Sequence, residues 1–117
     1  MRRTMMHAKI HRAAVTDANA DYEGSITLDG DYMESVGILE HEQVHVVDID
    51  NGARFVTYAI AGERGSGDVV INGAAARLVS KGDLVIVIAY AEMEAEEARD
   101  AEPRVLFLNG ANAALAI

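Results

Sequence analysis

Residues 43–61 read QVHVVDIDNGARFVTYAIA, and this stretch decides the fold. The run 43–50 is β-branched and ends at Asn51-Gly52, the strongest short-range hairpin signal. A return strand over 53–61 follows, with Arg54, Val56, Tyr58 and Ile60 on one side. Working outward, residues 5–11 alternate, with Met6, Ala8 and Ile10 on one face and His7, Lys9 and His11 on the other. ERGSG (63–67) is a loop, DVVI (68–71) a short strand closed by Asn72-Gly73, and RVLFL (104–108) a last strand. Leu84 to Ala89 is continuously apolar and predicts a strand buried on both faces. Two short helices are expected. One is capped by Asp31 with Glu34 three residues on and stops at Gly37; the other runs over 92–102 and is broken by Pro103. Short strands with Gly-bearing turns in a small chain predict a mainly β fold. Few charged residues guard the strand edges, which favours a closed barrel.

At 117 residues the chain is one domain with one modest core, and residues 1–117 show no repeat or linker. Half the residues are apolar but few are aromatic, so Val, Ile, Leu and Ala build the interior and leave material for a subunit interface. The absence of cysteine removes disulfides and thiolate metal sites. The basic N-terminus lacks the apolar stretch of a secretory signal, and no apolar run approaches the ~20 residues of a membrane span, so a cytoplasmic protein is expected. A net charge of −9 argues against nucleic acid and anionic membranes as partners. An anionic substrate would need a local cationic clamp.

HEQVH (41–45) matches the H-E-x-x-H pattern of zinc peptidases. That chemistry needs a helix, in which positions i and i+4 share a face. Here Val44, Val46 and Val47 predict a strand, which would set the two histidines roughly 13 Å apart. Bonds of about 2.1 Å to one ion cannot bridge that gap. Ordinary solvent-facing histidines are the better reading, with no metal.

YEGSITLDG (22–30) places Gly24-Ser25 directly against an alternating strand. Most such pairs are bends. A serine hydroxyl can nevertheless attack the carbonyl before it, and glycine there takes up conformations closed to other residues. The acyl shift from nitrogen to oxygen gives an ester; its elimination and hydrolysis would leave a pyruvoyl group and release ammonia. Such a terminal ketone draws electrons from a condensed amine much as pyridoxal phosphate does.

KIHRAAVTDANADYEGS, NGARFVTYAIAGERGS and INGAAA, in that order, resemble the bacterial aspartate 1-decarboxylases, with residues 1 to about 100 covered and no gap. The resemblance implies a six-stranded double-psi β-barrel, assembled as a homotetramer with active sites between subunits. It implies a zymogen that cleaves itself between Gly24 and Ser25, giving a β chain of residues 1–24 and an α chain of 25–117. It also implies decarboxylation of L-aspartate to β-alanine for pantothenate and coenzyme A synthesis, with or without a maturation factor.

By the same resemblance Ser25 becomes the pyruvoyl cofactor and forms the Schiff base with substrate, and Tyr58 is the proton donor. Thr57 and the Gly73-Ala74-Ala75 segment contact substrate, with Thr57 also a candidate for the oxyanion of self-cleavage. Arg54 and Lys9 are the cations for the two substrate carboxylates, with Arg54 expected on the side-chain carboxylate. Asn72, Tyr22 and His11 are further pocket candidates. Thr57 and Tyr58 pose a difficulty, since neighbours in a regular strand face opposite ways. A twist, a bulge or a subunit boundary would resolve it. The competing reading is a non-catalytic, small-ligand-binding β-barrel in which Gly24-Ser25 is only a bend.

Overall fold

The computed structural model describes every residue except Glu23, Ala116 and Ile117, so one residue before Gly24 and the end of the tail lie outside the described residues. Eight strands account for about half of the chain: β1 (Arg2–Ala14), β2 (Asp17–Asn19), β3 (Ser25–Asp29), β4 (Gln43–Asp48), β5 (Arg54–Gly62), β6 (Val69–Asn72), β7 (Leu84–Glu94) and β8 (Arg104–Phe107). Two short helices, α1 (Gly30–Val36) and α2 (Ala95–Asp100), and a 3-10 helix over Gly73–Leu78 complete it.

The strand order is β2-β6-β3-β5-β4-β7-β1-β8. β1 and β2 are consecutive pieces of one strand path, joined by Val15 and Thr16. Thr16 N donates to Val69 O at 2.8 Å, and Val69 N donates to Thr16 Oγ1 at 2.9 Å. That path therefore touches β7 at one end and β6 at the other, and the sheet closes into a ring to which β8 adds in parallel. Closure removes the edges that so few charges could not have guarded. Every strand path of the ring sends small or branched residues inward, among them Ala8, Ile10, Ile26, Leu28, Val44, Val46, Ala59, Ile71, Val85 and Val87, all fully buried.

Several details differ from the expectation. The cap of α1 is Asp29, not Asp31: its side chain accepts from Asp31 N at 2.8 Å, while Gly37 ends the helix in the left-handed region at φ 79°. Asp29 wins because its buried carboxylate also accepts from Gly65 N and Gly67 N, at 3.1 and 2.9 Å. Asp31 instead faces Arg64, at 2.9 Å. β7 runs on to Glu94, because Arg2, Arg3 and Thr4 of β1 pair with Glu94, Met93 and Glu92, so α2 is confined to Ala95–Asp100. Only one face of β7 is fully buried. Val85, Val87 and Ala89 point inward, while Ile86, Ile88 and Tyr90 stay half-buried on the outside.

Candidate active site

The register of β3 against β6 puts Ser25 opposite Asn72. Ser25 is 4% exposed, and its Oγ accepts a hydrogen bond from Asn72 Nδ2 at 3.0 Å. The same amide donates to Thr27 Oγ1 at 3.2 Å, so both β3 hydroxyls on that side are tied to one buried asparagine. The chain then turns at Gly73 with φ +72°, a conformation side chains oppose. A Cβ built on Gly73 would stand 2.6 Å from Gly24 Cα and 2.8 Å from Gly24 N. No other residue permits this approach. Ala74 is exposed, and Ala75 half-buried, on the 3-10 helix that follows. Tyr22 is exposed, with its backbone carbonyl also facing Gly73.

β3 runs parallel to β5 with Ile26 beside Ala59. Carried one residue back, that register sets Ser25 beside Tyr58. Tyr58, Val56 and Arg54 share the outer face of β5, and Val56 is 52% exposed. Arg54 Nη2 reaches His45 Nδ1 at 3.3 Å and donates to Tyr90 Oη at 3.2 Å. Gln43 pairs with Tyr58, and Tyr90 lies level with Gln43, so the guanidinium leans along the face towards Tyr58. His45 and Tyr90 were missed by sequence reasoning. Beside them a cleft of about 340 Å³ is lined by Thr4, Gln43, His45, Tyr90, Ala91 and Glu92, and Ser25 is not among its walls. His41 stands in the turn before β4 with φ 71° and only His45 lies in the strand, so HEQVH forms no helix.

Two expected residues are not brought to this place. Thr57 pairs with the fully buried Val44 and so lies on the opposite face of β5 from Tyr58; no bulge in β5 reconciles them. Lys9 pairs with Ile88, which pairs with His45, which pairs with Val56. Lys9 is thus three strand spacings from β5, roughly 14 Å at about 4.8 Å each. His11 sits at a bulge of β1 where Arg12 takes φ 65°, its ring edge-on to Phe107 at 5.7 Å. Its Nδ1 is buried without a partner among the described residues, and burial, then the charges of Lys9 and Arg12, hold its pKa below the ordinary value.

Taken together, one chain holds a buried serine hydroxyl against a glycine backbone, and beside it a phenol and a guanidinium on an open face. A sequence model of aspartate decarboxylase matches residues 1–115. The Aspartate 1-decarboxylase of Thermoanaerobacter pseudethanolicus is 58% identical over 112 residues, covering 96% of each chain. This chain belongs to the aspartate decarboxylase family.

Proposed function

We propose that the protein removes the α-carboxylate of L-aspartate as CO2 and releases β-alanine, supplying pantothenate synthesis in the cytoplasm, after cutting its own backbone at Gly24-Ser25. The observation that carries this reading is the Gly24-Ser25-Asn72-Gly73 corner, in a chain of this family. A non-catalytic barrel has no need to seat a serine hydroxyl on an amide while a glycine backbone is pressed against the preceding residue.

In this reading Asn72 fixes the Ser25 rotamer, so Oγ attacks the Gly24 carbonyl carbon and the C–N bond breaks in favour of a C–O bond. The ester then eliminates. Gly24 leaves as a carboxylate, and water converts the remaining dehydroalanine to a ketone with loss of ammonia. Residues 1–24 become the β chain and 25–117 the α chain. The corner suits the group so formed, since Asn72 Nδ2 already donates at this position and Gly73 leaves its approach clear. That pyruvoyl group supplies a carbonyl that condenses with the substrate amine and withdraws electrons from the α-carbon.

Arg54 offers a planar fork to the side-chain carboxylate of aspartate. Leaving the α-carboxylate without a strong partner avoids stabilising the ground state from which CO2 departs. When the C–C bond breaks, Tyr58 Oη delivers the proton that the carbon takes up. Ala74 and Ala75 lack bulk and let their main chain approach substrate; Tyr22 and His11 border the pocket. Lys9 and Thr57 join the site from a neighbouring subunit in a homotetramer. The separations on one chain support this, as does the exposure of Val56 and Tyr58 side by side on the outer face of β5. The two parallel pairings in a mostly antiparallel ring are compatible with a double-psi barrel.

Aspartate labelled with ¹³C at the α-carboxyl tests the activity. The purified mature protein should release the label as CO2 and accumulate unlabelled β-alanine in equal amount. Label that stays in aspartate, with no β-alanine formed, would refute the reading.

A further inference from the structure

Away from the corner, three carboxylates converge where the β4–β5 turn meets the loop leading into β7. One oxygen from each of Asp48, Asp50 and Asp83 lies within 4.8 Å of the others. Asp48 is fully buried at the end of β4. Its Oδ1 is committed to the turn, accepting from Asp50 N at 2.8 Å and Asn51 N at 3.2 Å. Its Oδ2 is buried with no hydrogen-bond partner among the described residues. A buried, unpartnered carboxylate oxygen costs several kcal/mol unless something positive reaches it. The other two carboxylates are each aimed by a backbone bond: Leu84 N donates to Asp50 Oδ2 at 2.7 Å, and Ser80 N to Asp83 Oδ2 at 3.0 Å.

We propose that Asp48, Asp50 and Asp83 form a structural site for a hard divalent cation, Ca²⁺ by preference. An all-oxygen, all-carboxylate donor set selects hard cations over zinc or copper. Two oxygens on one Ca²⁺, each bound at about 2.4 Å, can stand no further apart than about 4.8 Å, whereas Mg²⁺ with its ~2.1 Å bonds demands a tighter octahedron. Asp50 is exposed, so water completes the shell from outside.

The site lies where the β4–β5 turn already meets the start of β7, with Ile49 N donating to Leu84 O at 2.8 Å. Asn51 Nδ2 donates to Leu78 O at 2.8 Å, at the end of the 3-10 helix that begins at Gly73. A cation here would lock the β4–β5 turn to the 78–84 loop and brace that helix from the end opposite the candidate active site. Its role is mechanical, and the decarboxylation reading does not depend on it.

The test is calcium titration of the mature, chelator-stripped protein by calorimetry, with thermal unfolding at matched ionic strength. Binding should saturate at one Ca²⁺ per chain. At ten times the dissociation constant it should raise Tm by about 5 °C relative to added NaCl. Asp50→Asn and Asp83→Asn, which keep side-chain size and the backbone acceptors, should each weaken binding at least tenfold and remove most of the Tm shift. Absence of saturable binding up to about 10 mM, far weaker than the affinities of extracellular calcium modules, would overturn the site. Binding unchanged in both variants would place the ion elsewhere and overturn it equally.

Discussion

The corner at Ser25 and the outer face of β4, β5 and β7 lie on adjoining strands yet are built on opposite principles. At the corner the contacts are made within one chain: Ser25 and Thr27 accept from Asn72, and Gly73, where no side chain fits, lies against the Gly24 backbone. On the outer face Arg54, Val56 and Tyr58 stand open, and Lys9 lies strands away. In the proposed reading, one chain contains the means to cut its own backbone, whereas handling of aspartate draws on a second copy. This division of labour predicts that cleavage and turnover respond to different residues.

The largest effect separating the two falls on Tyr58. Tyr58→Phe removes only a hydroxyl from the open face, so kcat should fall ~10²–10⁴-fold, the range of a lost general acid, while cleavage at 24/25 is untouched. Equal loss of both activities would dissolve the distinction. Asn72→Ala is the converse. It frees the Ser25 hydroxyl from the side-chain donor that holds it and should slow self-cleavage by ~10², as loss of one positioning donor does. A time course of fragment formation on a denaturing gel measures it, and an unchanged rate would remove Asn72 from the corner's chemistry.

A smaller effect marks what belongs to neither region. Asp29→Asn keeps side-chain size but forfeits the charge that three amides answer, and should cost about 2 kcal/mol of stability with cleavage and turnover intact. Burial pushes the Asp29 carboxyl up, but the amides of Gly67, Asp31 and Gly65, with Arg64, outweigh it and hold its pKa below the ordinary 3.8. Since the folded pKa is the lower one, this stabilisation is complete above the ordinary value and disappears as pH falls through the folded value. Denaturant melts should show a constant gap between wild type and Asp29→Asn from neutrality to about pH 5, narrowing below pH 4. A gap that widens in acid would contradict the assignment.

The same contrast explains how much of the molecule could be read from its residues. The β4–β5 hairpin is legible because β-branched alternation and Asn51-Gly52 are local signals, and the buried face of β1 follows from its alternation, whereas the unbroken apolar run of β7 hides that only Val85, Val87 and Ala89 turn inward. The local pattern from Asp31 to Glu34 points to Asp31 as the cap of α1, yet Asp29 stands only two residues before it. Amides of Gly65 and Gly67 choose between them, and those lie more than thirty residues away. Gly24, Ser25, Asn72 and Gly73 were all candidates from the sequence, and the fold brings them into contact. His45 and Tyr90 were not, since their meeting with Arg54 depends on the register of β4 against β7. Thr57 and Tyr58 were recognised as facing opposite ways, and in one chain they do.

Denaturing mass spectrometry of the matured protein tests the central claim most directly. The account predicts two species meeting at 24/25, with the α chain lighter by one ammonia than a serine-started fragment, and Ser25→Ala leaving a single intact chain without activity. An intact wild-type chain that still turned aspartate into β-alanine would contradict it.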